Sequence, residues 1–158
     1  MIDNYELSEN KGRAKLLNDF KSSPYIIEYN FTEDKYDNID CYATAYTPIE
    51  CSLYAIEIKN RDIDYEKYAD EGFILEYTKY KALMDTYTNS GYTPIYTNYF
   101  SDSTRITWDL TTLQDIDNRW ITKYCTRTTA ENYKKGDIPK KVVLLYPQEG
   151  KVRRTISK

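Results

Sequence analysis

One apolar stretch that contains two charges constrains this chain more than any other feature. Residues 53–61 have the sequence Leu-Tyr-Ala-Ile-Glu-Ile-Lys-Asn-Arg, which is typical of a β-strand within a sheet. Side chains two residues apart share one face of a strand, so Glu57 and Lys59 point together while Ile56 and Ile58 point to the other face. Because a buried charge is unfavourable unless it is paired or binds a metal, this strand indicates a functional site.

The tripeptide Glu-x-Lys is not specific by itself. It occurs four times in the chain, beginning at Glu9, Glu33, Glu57 and Glu149. Three of these lie in polar stretches, where a solvated pair of charges carries no information about function. Only the tripeptide at Glu57 lies in a strand-like apolar run, so the context carries the signal.

The residue types that are absent exclude several classes of enzyme. The chain has no histidine, which excludes Ser-His-Asp and Cys-His hydrolases and zinc enzymes with histidine ligands. Its three cysteines form an odd number without CxxC spacing, so the sequence suggests neither a disulfide framework nor a zinc site. It also lacks the glycine-rich phosphate-binding motifs GxxxxGK[ST] and GxGxxG. Any chemistry must therefore use carboxylates, lysines, tyrosines or water.

Length and charge give further expectations. A chain of 158 residues predicts one domain, residues 1–158. No window is apolar enough to cross a membrane and the first residues do not resemble a secretory signal, so we expect a soluble, cytoplasmic protein without a membrane partner. The net charge of −3 argues against a protein that coats nucleic acid by charge alone. The composition, rich in Ile, Lys, Asn, Asp and Tyr, would suit an AT-rich bacterium or phage.

Basic residues are enriched near the end of the chain. They form either a strip against phosphates or a solvated tail, and they are Lys134-Lys135, Lys140-Lys141, Lys151, Arg153-Arg154 and Lys158.

The pattern of apolar residues predicts alternating helices and strands. A helix over 8–21, opened by Ser8 as N-cap, precedes three strands that form a meander. Antiparallel pairing of the second and third strands would bring Asp40 close to Glu57. The remaining predicted elements are a long helix over 65–89 ended by Ser90-Gly91, strands near 94–100, 106–110, 120–126 and 140–146, and a helical or loop segment over 129–136.

This order of elements, with an acidic residue opening the second strand and Glu-x-Lys ending the third, resembles the PD-(D/E)xK nuclease superfamily. The matching residues are Ile39-Asp40 and Glu57-Ile58-Lys59; Ile39 stands where the family has a proline. The resemblance implies an α/β fold of the restriction-endonuclease-like type, a mixed β-sheet flanked by helices in the order α-β-β-β-α-β. It would cover residues 8–100, with 101–158 adding further C-terminal strands.

The resemblance also implies roles for individual residues. Asp40, Glu57 and the backbone carbonyl of Ile58 would bind Mg²⁺, for which Mn²⁺ can substitute. Lys59 would position or activate the attacking water. Physical reasoning agrees, because phosphodiester hydrolysis needs a hard cation, oxygen ligands and a positive group near the nucleophile. The alternative interpretation is an ordinary salt-bridge cluster on an edge strand.

Five other residues are candidates for a supporting role. Glu76 and Lys79 lie three apart on the long predicted helix and either face the acidic pair or form an exposed ion pair. Glu9 lies where some relatives carry an extra acidic ligand, although the helix dipole also explains its position. Asn60 and Arg61 either contact a phosphate or mark the exit of the strand to solvent.

Three functions follow as hypotheses. The first is a Mg²⁺-dependent nuclease that acts on DNA rather than RNA, for which a homodimer would place two centres on two strands. The second is a non-catalytic binding or assembly protein that retains the nuclease fold. The third is a surface module that binds carbohydrate or protein through clustered exposed tyrosines, of which the chain has 18.

Overall fold

The protein has a mixed α/β fold with two helices and nine strands within the residues that the structure, a computed structural model, describes: 4–34, 37–68, 72–125 and 137–154. The strands form one sheet of six strands and one of three. The elements in chain order are α1 (Asn4–Ser22), β1 (Ile26–Phe31), β2 (Cys41–Tyr46), β3 (Cys51–Arg61), β4 (Phe73–Glu76), α2 (Tyr77–Ser90), β5 (Thr93–Phe100), β6 (Thr104–Asp109), β7 (Ile121–Cys125), β8 (Ile138–Leu145) and β9 (Lys151–Arg154).

The six-stranded main sheet has the order β1-β2-β3-β5-β6-β9. Its first three strands form the predicted antiparallel meander, and β3 pairs with β5 in parallel. A parallel pair needs a long crossover connection, which β4 and α2 supply here. Cys41 lies opposite Ile56 in the β2–β3 ladder. Extending that ladder by one residue places Asp40 opposite Glu57.

The two faces of the main sheet are covered differently. On one face, α1 packs Leu16 against Ile56 and Tyr99. Gly12 is required for this contact, because a Cβ atom at that position would lie 2.9 Å from Cγ2 of Ile58. The small sheet, with strand order β4-β8-β7, and α2 cover the other face. The larger apolar core therefore lies on the face of β3 that carries Glu57.

The predicted helix over 65–89 is wrong in its first half. Residues 73–76 form β4 instead, and α2 begins only at Tyr77. Gly72 has a φ of 79°, which a continuous helix does not tolerate. Phe73 and Leu75 are buried and Ile74 between them is only half-buried, a strand-like alternation that the helical pattern concealed. The predicted end is correct, because Gly91 closes α2 in the left-handed conformation with a φ of 74°.

The first helix begins earlier than predicted. Helix α1 starts at Asn4, so Ser8 lies inside the helix and is not its N-cap. The Ser8 hydroxyl instead donates to the carbonyl oxygen of Asn60 at 3.3 Å. The side chain thus links the helix to β3.

The C-terminal part adds strands to both sheets. Strands β6 and β9 extend the main sheet, whereas β7 and β8 belong to the small sheet. The predicted basic strip is therefore divided, with Lys140-Lys141 on β8 and Lys151 and Arg153-Arg154 on β9. The other predicted members, Lys134-Lys135 and Lys158, lie outside the described residues, as does the segment 129–136. No helix in the described part of the chain is both long and apolar enough to cross a membrane.

Tyrosines occur both in the core and on the surface. Tyr96 and Tyr99 are buried, whereas Tyr25, Tyr29 and Tyr46 are exposed around β1 and the end of β2. Tyr46 is the last residue of β2, whereas Asp40 immediately precedes the first. The two residues therefore lie at opposite ends of this strand. A tyrosine-rich binding surface stays a prediction.

Candidate metal centre

Asp40 is held at the end of the β2–β3 ladder by main-chain hydrogen bonds. Its backbone N–H donates to the carbonyl of Ile56 at 3.0 Å, and the backbone N–H of Ile58 donates to Asp40 Oδ2 at 2.7 Å. The guanidinium of Arg13 lies 3.6 Å from Asp40 Oδ1. Because both carboxylate oxygens have a neighbour from a different element, the side chain is fixed beside Glu57.

Glu57 is buried, and one of its carboxylate oxygens receives no hydrogen bond from the described residues. The residue is 8% exposed, and its Oε1 lies 3.0 Å from Nζ of Lys79 on α2. Its Oε2 is buried and receives no hydrogen bond from any described residue. Burial and the adjacent negative charge of Asp40 raise the pKa of Glu57 well above its usual range, and Lys79 offsets only part of this effect.

Lys59 lies on the same face of β3 as Glu57, two residues further along. Its side chain as a whole is exposed, yet protein surrounds the ammonium group closely enough to affect its titration. This loss of hydration, together with the positive charge of Arg61, lowers the pKa of Lys59, while Glu57 and Glu76 oppose the shift. The lysine is thus a cation that gives up its proton more easily than a free lysine does.

Two helices bring further charges to the centre. Lys79 reaches it from α2, which is one of the two arrangements that the sequence left open for this residue. Arg13 reaches it from α1 and was missed by the sequence analysis. Arg13 lies four residues after Glu9, a spacing that places both on one helix face, and this spacing was the available signal.

Glu9 also lies within electrostatic reach of the centre. Burial and the charge of Asp40 raise the pKa of Glu9, whereas Arg13, Lys79 and Lys59 lower it. Glu9, a candidate from the first predicted helix, therefore lies near the acidic pair. Three carboxylates and three cations surround this end of the sheet, and they are Asp40, Glu57 and Glu9 with Arg13, Lys59 and Lys79.

The structure does not bring Asn60 into the centre. Asn60 lies on the opposite face of β3, where Nζ of Lys15 donates to its Oδ1 at 2.7 Å. Its Nδ2 donates to Ser8 Oγ and to Asp62 Oδ1, each at 3.1 Å. All three bonds serve the contact with α1 and the adjoining turn.

Arg61 and Glu76 lie near the centre but have other partners. Nε of Arg61 donates to Asn98 Oδ1 at 2.6 Å, and its guanidinium lies 4.7 Å from the ring centroid of Tyr68. Glu76 is the last residue of β4 and the N-cap of α2, not a residue on the helix flank as predicted. It pairs with Lys140, whose Nζ lies 2.5 Å from its Oε1.

Comparisons with family models, curated proteins and solved structures gave no match. The geometry of the centre is therefore the basis for assigning a function.

The donor atoms of the centre suit magnesium. In the described part of the chain, no three acidic or cysteine side chains are grouped as a metal site by themselves. Magnesium is commonly bound by one or two carboxylates and keeps several waters, so it needs no larger set of protein ligands. The unpartnered Oε2 of Glu57, buried beside a second carboxylate, is the atom that a hard cation would satisfy.

Proposed function

We propose that this chain is a Mg²⁺-dependent nuclease with the restriction-endonuclease-like fold of the PD-(D/E)xK superfamily. The observation that carries the proposal is the buried, unpartnered carboxylate oxygen of Glu57 beside Asp40, with Lys59 on the same strand face. A buried acceptor without a partner is uncommon in a folded protein, and this one lies beside a second carboxylate.

Each residue has a defined task in this proposal. Asp40, Glu57 and the Ile58 carbonyl would hold Mg²⁺ or Mn²⁺, and the bound ion would offset the negative charge that develops on the phosphate. The Ile58 N–H fixes the orientation of Asp40. Lys79 reduces the cost of ionising Glu57, because its ammonium lies 3.0 Å from one carboxylate oxygen.

Lys59 would position the attacking water. Its ammonium group can donate hydrogen bonds to a water and to a phosphate oxygen at the same time. The lowered pKa of Lys59 adds a second capacity, since the neutral amine can accept the proton that the water loses. DNA is the substrate in this proposal, and RNA is the alternative.

A cleavage assay tests the proposal. Purified protein is incubated with single- and double-stranded DNA and RNA, with Mg²⁺, Mn²⁺ or EDTA. Cleavage should require the metal and should be lost in Asp40→Asn and Glu57→Gln. Glu33→Gln, which alters the same tripeptide pattern at an exposed position, is the matched control and should cleave normally. Cleavage that survives both Glu57→Ala and Lys59→Ala would contradict the proposal.

Substitutions of Lys59 separate its two capacities. Arginine keeps the positive charge but does not lose its proton near neutral pH. If the cation positions the water, Lys59→Arg should retain about tenfold more activity than Lys59→Met. The wild-type activity should also fall with rising pH before the ordinary lysine pKa of 10.5 is reached, because the cationic form is lost as pH passes the lowered pKa. Lys59→Arg should lack that decline. Equal activity in the two variants would contradict a positioning role for the charge.

The second candidate function is a non-catalytic binding protein with the same fold. It is favoured by the cations that already contact the acidic pair, Arg13 at Asp40 and Lys79 at Glu57. Titration calorimetry with Mg²⁺ and Mn²⁺ distinguishes the two. Binding that is lost in Asp40→Asn supports the nuclease, and no binding in the wild type supports the alternative.

A further inference from the structure

Beside the candidate centre, β7 and the first half of β8 form a two-stranded ribbon, which we define as Ile121–Cys125 with residues 138–142. The side chains of residues 121–124 are all exposed. Among the described residues, β7 pairs only with β8, so it is the edge strand of the small sheet. No described strand covers the outer edge of β7.

The ribbon adjoins the candidate centre. Lys140 on β8 pairs with Glu76, and the charge of Glu76 acts on Lys59. Glu76 immediately precedes the helix whose Lys79 contacts Glu57. A chain of neighbouring charges thus connects the ribbon to the acidic pair.

The ribbon places two lysines directly opposite each other. Lys123 on β7 pairs with Lys140 on β8 in the register of the ladder, so both ammonium groups lie on one face. Like charges at such a position destabilise a sheet. Glu76 offsets the charge of Lys140, but no carboxylate of the described residues lies within 4.0 Å of the Lys123 ammonium. Among the described residues, Lys123 therefore has no negative charge that compensates its own.

An aromatic ring accompanies this charge on the same edge strand. Tyr124 is 71% exposed, so most of this residue is accessible to solvent. A second lysine, Lys141, lies on the Tyr124 side of the ribbon with its ammonium 3.9 Å from the ring centroid of Tyr77. Exposed aromatic rings between lysines are the features by which proteins bind unpaired nucleic-acid strands.

We propose that the ribbon binds a single strand of nucleic acid that extends from the candidate centre, with Lys123 at its phosphates and an unpaired base stacked on Tyr124. The strand lies along the outer edge of β7 and so meets side chains from both faces. A duplex would not expose a base to Tyr124. This inference rests on the proposed nuclease function and assigns the form of its substrate.

Fluorescence anisotropy tests the inference without cleavage. The probe is a short fluorescein-labelled single-stranded oligodeoxynucleotide of mixed sequence, and every variant also carries Glu57→Gln so that the probe stays intact. Tyr124→Ala should weaken binding about 5- to 150-fold, and Tyr124→Trp should restore it, because stacking does not need the hydroxyl. Lys123→Ala should lower the slope of log affinity against log salt by about 0.7, the effect of one phosphate contact to a single strand.

Two matched variants outside the ribbon, one in α1 and one just before β1, serve as controls. Tyr25→Ala removes another exposed tyrosine and Lys21→Ala another exposed lysine, and both should bind as the parent does. Thermal unfolding of each variant verifies that it is folded.

The outcomes separate this inference from the function on which it rests. If the parent binds the oligonucleotide and the ribbon variants match the controls, the proposed role of the ribbon in binding a single strand is wrong, while the nuclease proposal stands. Tighter binding of a duplex than of the single strand also overturns it. If the wild type neither binds nor cleaves any nucleic acid, both proposals fail.

Discussion

Strand β3 buries a polar side chain on each of its faces, and the two sites differ in how completely their hydrogen bonds are satisfied. Asn60 is 9% exposed and Glu57 is 8% exposed. Every polar side-chain atom of Asn60 has a partner, and these partners connect the strand to α1. Glu57 has one buried oxygen without a partner among the described residues. The two side chains are therefore equally buried but differ in how many of their polar atoms are hydrogen-bonded.

Under the proposed function, this difference separates a structural site at Asn60 from a functional site at Glu57. A satisfied buried network stabilises one arrangement of the chain. A buried carboxylate beside a like charge is unfavourable, and groups with strongly perturbed pKa values are concentrated at functional sites. The charge of Asp40 next to Glu57 makes this cost larger than burial alone would.

Replacement of Glu57 should have the largest effect. Glu57→Gln should reduce nuclease activity by at least about 100-fold, because it removes a charge on which the transition state depends. In EDTA the same variant should gain stability relative to the wild type as pH rises. The raised pKa means that folded Glu57 keeps its proton above pH 4.5, its usual value. The stability that this proton contributes is lost as pH rises through the folded pKa.

Urea unfolding of both proteins across a series of pH values measures this difference. Mg²⁺ should then reverse the order, since an ion at 100 times its Kd stabilises the wild type by about 2.7 kcal/mol. It should leave Glu57→Gln nearly unchanged. A stability difference that is constant from acid to neutral pH would contradict a raised pKa for Glu57.

Replacement of Lys79 should have an intermediate effect. Lys79 lowers the pKa of Glu57, so Lys79→Met should raise that pKa further and weaken metal binding about tenfold at neutral pH. The affinity should recover at higher pH, where the carboxylate ionises without its partner. Lys81→Met, two residues along the same helix and exposed, is the control and should bind metal normally. Calorimetric titration at several pH values measures the metal affinity of both variants. Identical affinities would contradict a role for Lys79 in metal binding.

Replacement of Asn60 should affect stability alone. Asn60→Ala removes the hydrogen bonds of this side chain with Lys15 and Ser8, although Ser8 keeps its bond to the backbone carbonyl of residue 60, and it should lower the free energy of unfolding by roughly 1–3 kcal/mol. Metal affinity and cleavage per folded molecule should stay within about twofold of the wild type, because Asn60 faces α1. Asn18→Ala at an exposed position of α1 is the matched control and should be nearly neutral. A large loss of activity in folded Asn60→Ala would contradict the distinction between the two faces.

The sequence alone determined the part of the fold that depends on local pattern. The three strands of the meander and the antiparallel proximity of Asp40 to Glu57 followed from strand periodicity, because a one-residue slip would exchange the two faces of β3. The end of α2 followed from Gly91, since glycine adopts the left-handed conformation most easily. Glu9 and Lys79 were named from their positions on the two helices.

The partners of these residues depend on tertiary packing between segments that are distant in the sequence. The strand at Phe73–Glu76 exists because it pairs with β8, nearly seventy residues later, and no local pattern encodes that pairing. The contact of Arg13 with Asp40 depends on the close approach of α1 at Gly12. Likewise, the sequence did not show that the side-chain polar atoms of Asn60 would all be hydrogen-bonded. It also did not show that Oε2 of Glu57 would have no hydrogen-bond partner among the described residues. Periodicity sets the face on which a side chain lies, but its partners come from distant segments whose packing the whole fold determines.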